Sequence, residues 1–538
     1  MVFVRHVLGA RRVLSVAFAV AVISSLDVSL AFAQSAAFKQ AVAEAARGNA
    51  ALAEFYRGRG YEPIWTGKSG RDRQRRRALL EVLEGAPVHG LPRQKYSVTR
   101  VEQMLRAART PTERGALDVQ LSELFLDYAD AVATGVLTPS RVNPEIFRRD
   151  MALDTDRVLN GVMRGNTARY MKGLQPQSPE YARLLKAKID LEKIIGQGTW
   201  GAPVRAGRLE PGMSGQQVVA LRDRLQRMGY MGRSASSSFD TKLTDAVRAF
   251  QAAHGLAPDG IVGAGTLEEI NTPAETRLAQ VVVALERERW TNFDRGSRHV
   301  LVNIPDYSAR IFDNGKETFY TRAVVGQNKR DHRTPEFSDE MEFMEVNPSW
   351  YVPRSIMVKE YLPLLQENPN AVSHLQIRNR SGQMIDRSSV DFAAITPASW
   401  NFSMREPPSQ GNALGRVKFM FPNRHNIYLH DTPQKSLFQR ERRAYSHGCI
   451  RLADPFGFAH ALLARQSNDP EGKFKRALQH SAEVQIDLTQ HVPVHLIYRT
   501  ALTTARGDLQ FRRDIYGRDA QIFRALQKAG VELRASAS

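Results

Sequence analysis

A chain of 538 residues, 42% hydrophobic and 24% charged, has an ordinary globular composition and room for two to four domains. Its formal net charge of +19 favours a polyanionic partner. It holds one cysteine, so an internal disulfide framework is excluded.

The first residues read as an export signal. Arg5, Arg11 and Arg12 form a positive n-region, Val13 to Leu26 is apolar, and Ala31-Phe32-Ala33 is an A-x-A cleavage site. Cleavage is expected after about Ala33, and no other segment is long and apolar enough to cross a bilayer. Export makes nucleic acid a poor partner for the basic surface. Anionic lipid or a carboxylate-rich wall fits better. It also sharpens the lone cysteine, which outside the cytoplasm is either a pairing site or a reactive thiol.

Residues 34–200 read as mostly helical. Leu121, Leu124, Phe125 and Tyr128 have helical spacing, and Gly135 and Pro139 end that segment. Tyr56, Tyr61, Ile64 and Trp65 cluster beside the basic run Arg71 to Arg77, as a small core next to a solvated charged face or as a ligand groove. Residues 205–272 form a separate module of three short helices, with apolar stripes at Val218, Leu221, Leu225 and at Leu243, Val247, Phe250. Periodicity alone implies only a three-helix fold. The Gly212/Gly215 opening, Phe239-Asp240, Phe250-Gln251, Asp259-Gly260, Gly263 and Thr266-Leu267 resemble the peptidoglycan-binding domain type 1 family, and that resemblance implies wall binding.

A linking helix is expected within 273–296, over Thr276 to Arg289. From there the pattern turns to strands. His299 to Ile304, Ser308 to Phe312 and Phe319 to Val325 are β-like, with Asn314-Gly315 marking a hairpin. Met341 to Val346, Val417 to Phe421 and Asn426 to Leu429 follow, and Val494 to Thr500 is expected to be the last strand. The fold class is multidomain α+β: a mixed or antiparallel β-rich domain over 297–505, the three-helix module and a helical scaffold. Between about 353 and 414 the strand rhythm breaks, which implies a capping insertion. The tail, 506–538, has helical spacing at Ile522, Phe523 and Leu526 and no assigned role.

The chemistry-bearing stretch is Tyr445-Ser446-His447-Gly448-Cys449-Ile450-Arg451, with His430 upstream in Tyr428-Leu429-His430-Asp431-Thr432. A cysteine nucleophile needs a nearby base or a depressed pKa, and His430 and His447 are both candidates. Gly448 argues for a turn whose backbone N–H groups could receive an oxyanion. Arg451 adds positive charge near the thiol. A zinc site from His430, His447 and Cys449 and a structural cysteine are the competing possibilities.

The histidine, the spacer and Ser446-His447-Gly448-Cys449-Ile450-Arg451 resemble the signature of the L,D-transpeptidases with a YkuD-type catalytic domain. Asn347-Pro348-x-Trp350-x-Val352-Pro353 and Val417-Lys418-Phe419-x-Phe421-Pro422-Asn423 resemble the large murein members, which carry a scaffold, a peptidoglycan-binding module and a cap. The resemblance implies Cys449 as nucleophile and His430 as base, oriented by a neighbouring backbone carbonyl. It implies oxyanion amides from His447, Gly448 and Cys449, with Tyr428, Ser446, Arg451 and Trp350 shaping the substrate site. It implies transfer of a stem peptide to a second stem, with water or a protein amine as other acceptors. A wall-binding scaffold without catalysis is the rival from another class, and the intact His430/Cys449 pair argues against it. Peptidoglycan, both stem peptides and glycan, is the expected partner, with other cell-wall synthesis proteins as further candidates. A periplasmic or envelope location is expected, and no cofactor or metal is called for.

Overall fold

The computed structural model of the protein describes residues 33–148 and 151–533, and the export signal expected at 1–33 lies almost wholly outside them. Among the described residues no helix is long and apolar enough to cross a membrane.

Up to Gly196 the regular structure is helical. Helix α1 (Pro111–Thr134) starts with a Thr110/Glu113 capping box and a proline in its first turn, which satisfies N–H groups that lack helical partners. The aromatic cluster is core. Tyr56, Ile64 and Trp65 are fully buried around the Asp118 carboxylate. That carboxylate accepts from the backbone N–H groups of Ile64, Trp65 and Thr66 and from the Tyr56 hydroxyl, at 2.7 to 2.9 Å. A buried charge persists only when bonded in this way.

The three-helix module forms as expected, from α2 (Gln216–Arg227), α3 (Thr241–Ala253) and α4 (Ala264–Ile270). Its core holds Val218, Leu221, Leu225, Leu243, Val247, Phe250 and Ile270. Helix α5 (Ala274–Trp290) occupies the place of the expected linking helix, but it is buried nearly all round. Its charged run Glu286-Arg287-Glu288-Arg289 survives burial because each member is paired. Glu286 meets Arg289 at 2.6 Å, Arg287 meets Glu336 at 2.7 Å and Asp519 at 3.0 Å, and Glu288 meets Arg499 and Arg295.

The β-rich domain is one mixed sheet. Its strands are β1 (Arg298–Asn303), β2 (Ser308–Asp313), β3 (Lys316–Gly326), β4 (Ser338–Val346), β8 (Val417–Met420), β9 (Leu429–His430), β10 (Ala444–Ser446), β11 (Ile450–Leu452) and β12 (Val484–Ile497). The order is β10-β3-β11-β9-β8-β4-β12-β1-β2, and β2 pairs again with β3, so the sheet closes on itself. The Asn314-Gly315 hairpin stands where expected, both residues having the positive φ of a tight primed turn. Two strand expectations are corrected. Asn426 to Leu429 is not a full strand, because Asn426 is left-handed and the Asn423 side chain ties Phe421, His425 and Ile427 into a turn. The strand expected at Val494 to Thr500 is the end of β12, which begins ten residues earlier, at Val484. Its first half, along β4, has the alternating burial of a one-faced strand.

Between β4 and β8 the chain builds a second layer with its own three strands, β5 (Trp350–Tyr351), β6 (Gln376–Arg378) and β7 (Ser403–Glu406), in the order β5-β7-β6. Its own core includes Leu365, Ile377, Trp400 and Met404. After β12 comes a small hairpin, β13 (Ala501–Thr503) with β14 (Leu509–Phe511). Helix α6 (Arg518–Lys528) then packs its Ile522 and Leu526 into the core shared with α5.

Candidate active site

Strands β9 and β11 run parallel, with Leu429 beside Ile450 and His430 beside Arg451. Side chains alternate along a strand, so Leu429, Ile450 and Leu452 enter the sheet core while Tyr428, His430, Cys449 and Arg451 share the other face. The register brings the two halves of the motif together across fifteen residues of intervening loop and 3₁₀ turn.

The turn before Cys449 is held from below. Gly448 has φ +120°, a conformation that side-chain-bearing residues rarely adopt. The Ser446 hydroxyl donates to the Cys449 carbonyl at 2.5 Å and accepts the Gly448 N–H at 3.1 Å. The fully buried Thr334 donates its hydroxyl to the Gly448 carbonyl at 2.7 Å and accepts the Gly326 N–H at 3.0 Å. Two residues of the tail complete the support. The Tyr516 hydroxyl donates to the Gly326 carbonyl at 2.6 Å, and the Arg518 guanidinium donates to the Thr334 carbonyl at 2.9 Å. Arg518 is itself fully buried between Glu145 and Glu336.

His430 is buried, and its Nδ1–H donates to the carbonyl of Asp431 at 2.5 Å. Nε2 is thereby the lone-pair nitrogen. Burial, and then the charge of Arg451, push its pKa down to about 3, so the ring is neutral at neutral pH. The Asp431 carboxylate is fixed in turn by the N–H groups of Arg416 and Thr432 and by Lys435, at 2.9, 2.7 and 2.5 Å. Gly415 has φ +62° and lies so close that a Cβ would fall 2.3 Å from this carboxylate.

Cys449 is half-buried, and its Sγ lies 3.6 Å from the carbonyl of Asn426. Burial raises the thiol pKa. The backbone and hydroxyl of Tyr428, and the charges of Lys418 and Arg451, pull it the other way by favouring the thiolate. Burial raises the Tyr428 pKa well above its ordinary value, with Trp350 at the start of the insertion acting weakly the other way. Arg451 donates to the Gln434 side chain at 2.6 Å, and its Nε is buried without a partner. The resting site is therefore a neutral thiol on the same face as a neutral imidazole, with cations nearby.

His447 differs from the others. Its Nε2 meets Glu360 Oε1 of the insertion at 2.5 Å, and its ring lies 4.2 Å from that of His332. The zinc trio of His430, His447 and Cys449 is not what the fold assembles: among the described residues the ligand atoms that come together with those of His447 are those of His332 and Glu360. Sequence inspection missed Thr334, Glu360, Asp431, Tyr516 and Arg518. Asp431 stood inside the quoted motif, and the rest carry no local signal. A cavity of about 890 Å³ between the three-helix module, α5 and the segment that leads into α6 is not lined by Cys449, His430 or His447.

Comparison with known proteins gives this site its class. Residues 297–468 match the YkuD family, described as an L,D-transpeptidase catalytic domain. Residues 50–187 match a scaffold domain, and 214–270 a family provisionally described as a peptidoglycan binding domain. A Haemophilus influenzae protein, itself only provisionally assigned as an L,D-transpeptidase, is 31% identical over 256 residues. That alignment covers 47% of this chain, and the chain spans about half (51%) of that relative's length. Two solved L,D-transpeptidases, from Xylanimonas cellulosilytica and Stackebrandtia nassauensis, each align at 14% identity over 55% of this chain and over 100% and 97% of their own. Their TM-scores of 0.17 and 0.22 are too low to bear on the geometry. The stretch that carries the site thus matches the YkuD-type L,D-transpeptidase catalytic domain, with matches to a scaffold domain and a peptidoglycan-binding domain ahead of it.

Proposed function

We propose that the protein is an exported peptidoglycan L,D-transpeptidase that works through a cysteine acyl-enzyme. The observation that carries this is the shared face of β9 and β11, where His430, with Nδ1–H anchored on a carbonyl, stands beside the strand that follows Cys449. Nε2 of His430 takes the thiol proton as sulfur attacks the carbonyl at the L-centre of diaminopimelate in a tetrapeptide stem. The oxyanion is received by N–H groups of the 446–449 turn. The Gly448 N–H is already given to Ser446, so the amides of His447 and Cys449 are the donors the turn can offer, and Gly448 contributes the backbone conformation. His430 returns the proton to the departing D-alanine. The amine of a second stem's diaminopimelate then displaces the thiol from the thioester and forms the cross-link. Lys418 and Arg451 favour the thiolate, and Arg451 is placed to meet a substrate carboxylate.

In this reading residues 1–33 direct export to the periplasm, 205–272 hold the wall, and the insertion at about 353–414 covers the site. The test is incubation with purified tetrapeptide stems, followed by mass spectrometry. Release of D-alanine with a dimeric product is expected. Cys449→Ala should release none, and His430→Gln should be slower by about 10²- to 10⁴-fold. D-Alanine without dimer would make the acceptor water, and equal turnover by Cys449→Ala would sink the thiol mechanism.

A further inference from the structure

Two histidines and a glutamate meet outside the reacting groups, from three separate parts of the chain. His332 comes from the loop between β3 and β4, Glu360 from the π-helical turn Met357–Tyr361 of the insertion, and His447 from the turn before Cys449. One ligand atom from each lies within 4.8 Å of the other two. Nδ1 of His332 is buried with no hydrogen-bond partner, although its ring packs against that of His447. A plain Glu360–His447 ion pair accounts for two of the three side chains and leaves that nitrogen unexplained.

We propose that His332, Glu360 and His447 form a binding site for a zinc-type divalent transition cation that ties the insertion to the catalytic turn. Two imidazoles and one carboxylate are a zinc donor set with a fourth, open position. Magnesium and calcium prefer oxygen-only sets. Ligands about 2.0–2.1 Å from a tetrahedral ion lie roughly 3.4 Å apart, so an entering ion need only part the 2.5 Å Glu360–His447 contact by about an ångström. The side chains of His447 and Glu360 are 32% and 41% exposed, which gives the ion a path from solvent. The neighbouring residues hold the register, with Lys359 meeting Asp331 at 2.8 Å. A π turn is a recurrent way to aim one side chain out of a helix at a functional site. Occupancy would pin the insertion beside Cys449 and slow entry of a polymeric substrate. That consequence rests on the function proposed above, whereas the binding itself does not.

The test uses the full-length Cys449→Ala protein, so that the thiol cannot hold the metal. Cobalt(II) and zinc titrations should show one equivalent bound, with cobalt d–d bands and no thiolate charge-transfer band. His332→Ala and Glu360→Gln, made in that background, should each weaken binding by about tenfold or more. Zinc should slow backbone hydrogen exchange over residues 354–367 in the Cys449→Ala protein and in neither double variant. Absence of binding, or binding that both substitutions leave unchanged, would overturn the site. So would binding by the wild type that Cys449→Ala alone abolishes. Acylation of the wild type is measured separately, so loss of the metal site would leave the proposed function standing.

Discussion

The turn that carries Cys449 is held on two sides by different means. On the sheet side Thr334, Tyr516 and Arg518 are all buried; both hydroxyls and both terminal guanidinium nitrogens of Arg518 have defined partners, and only its Nε has none. On the other side the insertion reaches the turn through Glu360–His447 and the neighbouring Lys359–Asp331 pair, with side chains 32% to 63% exposed. A buried pair is costly to part, because the partner left behind is stranded away from water. A solvated pair parts at little cost, because water replaces what is lost. The difference makes the floor of the site a fixed template and its cover adjustable. Under the proposed function, it suits a turn that must stay in place while a polymer enters.

Arg518→Met should give the largest effect on stability. It removes a cation that serves Glu145, Glu336 and the Thr334 carbonyl, and the expected loss is about 3–5 kcal/mol in denaturant unfolding. A loss below about 1 kcal/mol would put the floor on the same footing as the cover. Thr334→Val leaves the Gly448 carbonyl and the Gly326 N–H without their partner, at about 1–3 kcal/mol. Acylation should slow with it, which distinguishes a support of the turn from a remote packing residue.

Burial of the thiol and the imidazole, first of all, sets the acid–base state. With the thiol pKa raised and the His430 pKa near 3, the thiolate fraction at neutral pH is small. It grows as pH rises toward and past the ordinary thiol range. Alkylation of Cys449 by iodoacetamide should therefore climb by up to about tenfold per pH unit from pH 6 to beyond 8, with no step near 6.5. A plateau by pH 7 would mean a thiolate–imidazolium pair instead. The smallest effect belongs to the cover. Lys359→Ala should cost less than about 1 kcal/mol, speed hydrogen exchange in the insertion and leave exchange around Gly448 unchanged.

Much was legible before any coordinates. The three-helix module, the Asn314-Gly315 hairpin and the place of helix α5 follow from local periodicity and turn chemistry. The neighbourhood of His430 and Cys449 followed from a strand end, a polar loop and a glycine turn. A backbone carbonyl was expected to orient His430, and Nδ1 meets that of Asp431. What local sequence could not tell is where partners come from. Glu286-Arg287-Glu288-Arg289 looks like a solvated face until Glu336, Arg499 and Asp519 are seen to neutralise it. The tail had no assigned role because Arg518 acts on residues more than 180 positions upstream.

The sequence by itself determined which groups can do chemistry: one thiol, two histidines near it, and a glycine that lets the backbone turn between them. Alternation along two short strands then fixed which side chains face the same way. Only the folded structure shows what each histidine touches. The Asp431 carbonyl takes Nδ1 of His430 and leaves Nε2 with the lone pair, while Glu360 of the insertion meets Nε2 of His447. Local pattern sets backbone conformation and side-chain direction. The bond that orients the His430 ring is to the adjacent residue, whereas the contact that engages His447 spans 87 positions and exists only once the chain has folded.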